Sequence, residues 1–133
     1  MPAFENENQL YSCLDELFSR MSVDDEAAGA ALHRAGLSFR FRCINPEAEV
    51  LIDGRQTPLN IQFGSSRAKV DLEITLQTDA LHQILQGDLS LTKAIGRRLV
   101  VPKGPVWKAK QLSEIFSQAQ KLYPGIYIST VNG

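Results

Sequence analysis

The sequence has few cysteines, no long apolar run and no leader-like start, and each absence excludes a class of protein. The two cysteines, Cys13 and Cys43, lie in different predicted elements and form neither a disulfide framework nor a CxxC motif. The apolar runs are only a few residues long, far short of the ~20 residues of a membrane-spanning helix. The N-terminal segment has no basic start followed by an apolar run, so no signal peptide is predicted. We therefore expect a cytoplasmic protein.

An excess of charge of one sign is also missing. The 133 residues include 14 basic and 15 acidic side chains, and 44% of the residues are hydrophobic. Because the net charge is close to zero, no global field attracts nucleic acid. The length and the composition are those of a single soluble globular domain over residues 1–133.

Apolar residues at helical spacing begin and end the chain. They predict a helix over residues 8–21 and a second helix that begins at a cap at Ser22 and ends at Gly36. Thr78 and Ser90 are predicted caps of two further helices, and residues 112–122 are predicted to form the last one. The apolar tail after Leu122 either covers the core or lies loosely.

Alternation of apolar and polar residues predicts strands in the middle of the chain. Four strands are predicted near residues 37–43, 50–52, 59–63 and 68–77, and a fifth at Leu99–Val101. The strict alternation from Ala68 to Gln77 is typical of an antiparallel sheet with one covered and one solvated face. We therefore predict an α+β fold in which about five mainly antiparallel strands are covered on one face by helices.

Residues with catalytic or metal-binding chemistry are sparse. His33 and His82 have no metal-ligand neighbours at HxxxH or HExxH spacing, and Cys13 and Cys43 continue apolar faces, so we interpret all four as structural. The segment SLTK beginning at Ser90 matches the SxxK pattern of penicillin-binding enzymes, but the companion SDN and KTG motifs are absent and a helix cap explains the serine better. We predict no catalytic residue, no metal and no cofactor.

Charge is unevenly distributed along the chain. Residues 97–110 contain five basic side chains and no acid, whereas residues 1–26 contain seven acids and only Arg20. We favour two solvated surfaces of opposite sign; the sharper hypothesis is a basic stretch that contacts an anionic lipid surface. Aromatic residues for base stacking are too few to indicate a nucleic-acid partner. The residues of the anionic-surface hypothesis are Arg97, Arg98, Lys103, Trp107, Lys108 and Lys110.

The second half of the chain contains AKVDLEITLQTDALHQILQGDLSLTKAIGRRLVVPKG, followed by KAKQLSEIFSQA, in the order of strand, capped helix, glycine turns and final helix. In this order and these residues it resembles the sterol carrier protein (type two) lipid-binding family. The likeness covers about residues 37–122, preceded by the N-terminal helices at 8–36 and followed by the tail at 123–133. The matching positions are Val70, Leu72, Ile74, Leu76, Thr78, Asp79, Leu81, Ile84, Leu85, Gly87, Leu89, Ala94, Gly96, Leu99, Val101, Gly104, Leu112, Ile115 and Phe116.

The resemblance implies a sheet of five strands with an apolar tunnel between it and the helices. Family members bind sterols, fatty acyl chains, acyl-CoA or isoprenoid lipids there, so this chain is expected to be a free-standing, non-enzymatic lipid carrier. Each buried CH₂ group contributes about 0.8 kcal/mol, and a long chain is held without specific polar contacts. The predicted lipid-binding side chains are Phe39, Phe41, Ile61, Phe63, Leu72, Ile74, Leu81, Ile84, Leu85, Leu99, Val101, Leu112, Ile115 and Phe116.

Two other functions stay open. A structural or accessory partner of a lipid- or quinone-metabolising complex would keep the fold with the tunnel filled, and would bind a protein instead of a lipid. An enzyme built around Ser90 and Lys93, or around Cys43, would be labelled by a serine- or thiol-directed probe. The carrier hypothesis requires that sheet and helices stand apart and leave a hollow between them.

Overall fold

The computed structural model describes residues 3–23, 36–54, 60–65, 67–104 and 106–132. Within these ranges the chain has an α+β architecture of five helices and five strands. None of the described helices is both long and apolar enough to cross a membrane. The helices are α1 (Glu7–Val23), α2 (Thr78–Gln86), α3 (Leu91–Gly96), α4 (Val106–Ala119) and α5 (Tyr123–Asn132). The strands are β1 (Ser38–Ile44), β2 (Ala48–Asp53), β3 (Asn60–Phe63), β4 (Leu72–Gln77) and β5 (Val100–Lys103).

The strands form one mixed sheet in the order β3-β2-β1-β4-β5. The central pair, β1 and β4, is parallel, and the other neighbours are antiparallel. The prediction of a mainly antiparallel sheet is therefore confirmed. Alternation alone could not identify the parallel central pair, because pairing direction depends on how the chain crosses between the strands.

Strand β4 begins later than the alternation predicts. Leu72 pairs with Phe39 near the start of β1 and is the first residue of β4 in the strand register. Asp71, just before it, holds the start of β1: the Ser38 backbone N–H donates to the Asp71 Oδ2, and the Asp71 N–H donates to the Ser38 carbonyl oxygen, both at 2.9 Å. Ala68 is exposed, and its carbonyl oxygen accepts from the Arg40 Nη2.

Three predicted helix ends can be compared with the structure. Ser90 caps α3 as predicted, because its Oγ accepts from the Lys93 backbone N–H at 3.1 Å. Gly87 ends α2 in the left-handed region, with φ 86°. The prediction that Thr78 caps α2 is wrong, because Gln77 occupies the cap position. The Thr78 hydroxyl instead donates to the Pro46 carbonyl oxygen at 2.9 Å.

The N-terminal and C-terminal helices pack against each other. Asn6 caps α1, since its Oδ1 accepts from the Gln9 N–H at 2.9 Å. The tail forms α5, which buries Tyr123 and Ile126 in the core, so it covers the core. Pro124 lies in the first turn, where a missing N–H is tolerated. The second predicted helix and His33 lie outside the described residues, apart from the ends of that helix.

The side chains of the covered face and of the helices make one core. Alternate residues of β1, β2 and β4 point to this face, and pairing places them in rows across the sheet, such as Val50, Phe41 and Ile74. The row of Ile52, Phe39 and Leu72 lies beside it. Helices α1, α2, α4 and α5 contribute the opposing side chains of the same cluster. Most of the side chains that the sequence predicts for the site therefore belong to the core of the protein.

Candidate functional site

Most of the predicted lipid-binding side chains do meet at the covered face. These side chains come from β1, β4, α2 and α4, and none of them is more than 3% exposed. The rings of Phe39 and Phe41 lie 6.0 Å apart, and the ring of Phe41 lies 5.9 Å from that of Phe116 on α4. The residues brought together in this way are Phe39, Phe41, Leu72, Ile74, Leu81, Ile84, Leu85, Leu112, Ile115 and Phe116.

Two predicted lipid-binding residues near β5 are exposed instead of buried at the covered face. Val101 pairs with Thr75, whose neighbours on β4, Ile74 and Leu76, point to the covered face. Val101 therefore belongs to the open face, and it is 54% exposed. Leu99 precedes the strand and is 41% exposed. The resemblance implies that both residues contact lipid, but the structure does not place them with the other predicted residues; Val100, which is buried, faces the core instead.

Two further predicted residues lie at the margin of the covered face. Ile61 pairs with Ile52 and Phe63 pairs with Val50, so both point to the predicted side. Because β3 is an edge strand, Ile61 is only partly buried and Phe63 is 36% exposed. The Phe63 ring packs against the ring of Tyr11 on α1, with centroids 5.0 Å apart.

A small groove opens between α2, α3 and α4. Its volume is about 180 Å³, and we call it the helix groove. Two predicted lipid-binding residues, Ile84 and Phe116, line it, and both also belong to the core. The other lining residues are Ser90, Leu91, Thr92, Ser113, Ser117 and Gln120.

The sequence reasoning missed the polar side of this groove. Ser113 and Ser117 lie four residues apart on α4, and both are exposed beside Phe116. That spacing places two small side chains on one helix face, where a neighbouring surface can approach closely. Two small residues at this spacing are the sequence signal that could have indicated the groove. Gln120 fixes the end of the groove, because its Nε2 donates to the Ile84 carbonyl oxygen at 2.9 Å.

The interior below the helix groove is closed. Ile84, Ile74 and Phe41 are at most 1% exposed, whereas side chains around a water-sized hollow would have accessible surface. Within the described part of the chain, sheet and helices meet in direct contact at these residues. The tunnel that the resemblance implies is not visible there.

A larger groove lies at the margin of the core, since the buried Cys43 and Ala48 are among its lining residues. It has a volume of about 590 Å³ and lies between the start of α1, the β1–β2 turn and the residues after β3. Its walls include Glu7, Glu47, Glu49 and Arg42. A groove with this many charged walls does not suit the hydrocarbon part of a lipid.

The open face of the sheet is held by ion pairs. Arg40 is buried, and its Nη1 lies 3.1 Å from the Glu73 Oε2. Arg42 lies 3.3 Å from Glu49 and 3.4 Å from Glu73, so one carboxylate serves two guanidinium groups. Arg97, Arg98 and Lys103 are exposed near β5. Trp107, Lys108 and Lys110, which the anionic-surface hypothesis also includes, fall outside the described side chains.

The thiols are placed as structural residues. Cys13 and Cys43 are free and buried. Burial raises the pKa of Cys13 to about 11 and the pKa of Cys43 to about 12. Both thiols therefore stay protonated at neutral pH, whereas a nucleophilic cysteine has to be a thiolate.

Ser90 and His82 are likewise engaged in structural contacts. The Ser90 Oγ accepts the Lys93 backbone N–H, which is the bond of a helix cap. The Nδ1 of His82 lies 2.8 Å from the hydroxyl of Tyr123, and burial lowers the pKa of His82. The described residues contain no group of three or more side chains that could hold a metal ion.

Comparison with known proteins identifies the fold and the family. No curated protein matches the sequence. The structure is similar to sterol carrier protein 2 from Yarrowia lipolytica in its apo form, with 17% identity, a TM-score of 0.68, and coverage of 88% of this chain and 95% of that one. It is also similar to sterol carrier protein domain 2 of Helicoverpa armigera, with 14% identity, a TM-score of 0.69, and coverage of 91% and 95%.

A third similar structure is described as the UbiJ-SCP2 ubiquinone synthesis protein. It has 14% identity, a TM-score of 0.65, and coverage of 91% of this chain and 97% of that one. At such identities these likenesses concern the fold. The model of the SCP-2 sterol transfer family matches residues 14–117 of the sequence. The chain therefore belongs to the SCP-2 sterol transfer family.

Proposed function

We propose that the chain binds the hydrocarbon part of an apolar lipid between its sheet and helices, and that the lipid enters through the helix groove. Membership of a sterol transfer family supports lipid binding or transfer in general. The observation that carries the finer proposal is that Ile84 and Phe116 line the groove and also belong to the core. Displacing these two side chains would join the groove to the interior at Phe41.

A sterol, a fatty acyl chain or an isoprenoid chain fits the chemistry of this interior. The proposed contacts are the predicted residues of the covered face and the helices, without Phe63, Leu99 and Val101. Among the side chains that the structure describes, those lining the helix groove carry no charge, and their polar groups are hydroxyls and one amide. We propose that a lipid headgroup stays at this mouth, where Ser113, Ser117 and Gln120 offer hydrogen bonds.

The affinity should be moderate, because the interior has to open. Burial of about ten CH₂ groups contributes about 8 kcal/mol, which is the free energy of micromolar binding. Part of this is lost when the contacts of Ile84 and Phe116 with their neighbours are broken. We therefore expect dissociation constants in the micromolar range or weaker.

Titration with a fluorescent fatty acid tests the proposal. The delipidated protein should show saturable binding, and a double substitution, Ser113→Trp with Ser117→Trp, should weaken it at least about tenfold by filling the mouth. Both serines are exposed, so the fold should be retained. Gln83→Trp is the matched control, since Gln83 is exposed on α2 and does not line the groove. Absence of saturable binding in the natural protein would overturn the proposal.

A second candidate function is that of an accessory partner in a lipid- or quinone-metabolising complex. The closed interior supports it, as does the likeness to a ubiquinone synthesis protein. It predicts that the purified protein carries no lipid in an organic extract and retains a protein partner in a pull-down. A lipid in stoichiometric amount in that extract would favour the carrier instead.

We also propose that the protein is not an enzyme and works in the cytoplasm. The cap bond of Ser90 and the raised pKa of Cys43 support the first point, because neither side chain is a prepared nucleophile. The two free thiols support the second, since reducing compartments keep cysteines unpaired. A thiol- or serine-directed probe that labelled one residue of the folded protein stoichiometrically would contradict the first point.

A further inference from the structure

Five residues around the start of β5 form an exposed surface of mixed character. We call it the basic–apolar patch: Arg97, Arg98, Leu99, Val101 and Lys103. All five are exposed, and no acid occurs between residues 97 and 104. Two exposed aliphatic side chains between three cations are not explained by solvation of a charged surface, because water solvates the cations but gains nothing from Leu99 and Val101.

The backbone holds the patch in place. The N–H groups of Arg97, Arg98 and Leu99 donate to the carbonyl oxygens of Lys93, Ile95 and Ala94 at 2.9, 3.0 and 2.8 Å. Arg98 has φ 60°, a left-handed conformation that a side chain other than glycine adopts only when its surroundings require it. The exposure of Leu99 therefore belongs to a fixed turn.

The cations of the patch are not neutralised within the described part of the chain. Glu73 is the cross-strand neighbour of Lys103, but its carboxylate pairs with Arg40 and Arg42. Among the described residues neither Arg97, nor Arg98, nor Lys103 makes an ion pair. Since β5 is an edge strand, the patch lies at the border of the sheet, where a broad surface can reach it.

We propose that the basic–apolar patch docks the protein on a bilayer that contains anionic lipids. Arginine and lysine side chains gain from the negative potential of such a surface, and aliphatic side chains gain by entering its interfacial layer. The two aliphatic side chains favour a membrane over nucleic acid, because a sugar–phosphate backbone offers them no apolar layer to enter.

The proposal deepens the proposed function and rests on it, since a carrier has to collect and deliver lipid at a membrane. Helix α3 connects the two surfaces. Its first residues, Leu91 and Thr92, line the helix groove, and Arg97 directly follows its last residue. Six residues of helix extend about 9 Å, so the patch begins within the length of a short acyl chain from the groove.

Vesicle co-sedimentation tests the docking. The natural protein should bind vesicles of phosphatidylcholine with about one third phosphatidylglycerol, and not vesicles of phosphatidylcholine alone. Raising the salt from about 0.1 M to about 1 M should release it, because the Debye length falls from about 10 Å to about 3 Å. Equal binding to both kinds of vesicle, or binding to neither, would overturn the proposal.

Matched variants locate the surface. Arg97→Glu should lower the partition onto anionic vesicles about fivefold or more, whereas Lys121→Glu, in the turn after α4, should leave it nearly unchanged. Leu99→Ser with Val101→Ser should also lower it, while Ile128→Ser, which alters an equally exposed aliphatic side chain on α5, should not. Equal losses for the variants and their controls would overturn the assignment.

Failure of docking can be told apart from failure of lipid binding. Without vesicles, the patch variants should bind the fluorescent fatty acid as the natural protein does, because none of the patch residues lines the helix groove. Loss of that binding in Leu99→Ser with Val101→Ser would show that these residues act on the interior, and would contradict a separate docking surface.

Discussion

The two faces of the sheet are built from alternate residues of the same strands, yet one is stabilised by apolar packing and the other by ion pairs. On the covered face, Phe41 and Ile74 are cross-strand neighbours with almost no accessible surface. One residue later, Arg42 and Thr75 are cross-strand neighbours on the open face. There the cohesion comes from the ion pairs of Glu73 with Arg40 and Arg42.

The comparison shows that the face to which a strand residue points decides the kind of partner that its side chain meets. Side chains of the covered face can only meet helices or a lipid that displaces them. Side chains at the border of the open face, such as Val101 and Lys103, meet whatever approaches from outside. The proposed functions divide in the same way, with lipid held on one side and a membrane contacted from the other.

The largest effect is expected on the covered face. Phe41→Ala should lower the free energy of unfolding by about 3–5 kcal/mol, because it leaves a cavity beside Phe39 and Phe116. Val101→Ala is the control and should change it by less than about 0.5 kcal/mol. Urea denaturation measures both values. A similar loss for the two variants would contradict the contrast between the faces.

A smaller effect is expected from the ion pairs of the open face. Glu73→Gln should cost about 2 kcal/mol, because it removes the charge partner of the buried Arg40 and one of the two charge partners of Arg42. Lys103→Gln, on the strand next to Glu73 and without an ion pair among the described residues, should be nearly neutral. The measurement is chemical denaturation at low salt. No loss for Glu73→Gln would mean that Arg40 is satisfied by the Ala68 carbonyl alone.

A helix cap provides the next effect in size. Ser90→Ala should cost about 1 kcal/mol, since it removes the acceptor of the Lys93 N–H at the start of α3. Ser113→Ala, in the exposed part of α4, should be neutral or slightly stabilising. Thermal unfolding distinguishes the two. Equal stability of Ser90→Ala and the natural protein would contradict the cap.

The smallest effect concerns pH. Burial lowers the pKa of His82 from its ordinary value of 6.5, so the unfolded chain takes up a proton at a higher pH than the folded one. The stability linked to His82 is therefore present above pH 6.5 and is lost as the pH falls below that value. We expect the Tm of the natural protein to fall more than that of His82→Gln between about pH 7 and about pH 5. Parallel curves for the two proteins would show that His82 contributes nothing to the pH dependence.

Much of the fold could be predicted from local patterns. Apolar spacing located α1, and alternation located β1 and most of β4, because one buried face leaves a clear period in each. The cap at Ser90 and the left-handed end at Gly87 depend on residue type, and a sequence displays them directly. These elements are fixed mainly by interactions between near neighbours.

The rest depended on contacts between distant segments. Leu99, Val100 and Val101 are all apolar, so the sequence does not show which of them point to the covered face. Only the pairing of β5 with β4 places Val100 there. Helix α5 contains Pro124, Gly125 and β-branched residues, which disfavour a helix locally. Packing of Tyr123 and Ile126 into the core overrides that preference.

Isoleucine methyl NMR tests most directly whether a lipid is held between sheet and helices, because isoleucines occur both in the buried core and on the exposed surface. We predict that titration with a saturated fatty acid shifts the methyl signals of Ile84, Ile74 and Ile115 with one common saturation curve. The signals of Ile44 and Ile128, which are exposed, should stay in place. Shifts confined to the exposed isoleucines, or no saturable shift at all, would contradict a lipid held between sheet and helices.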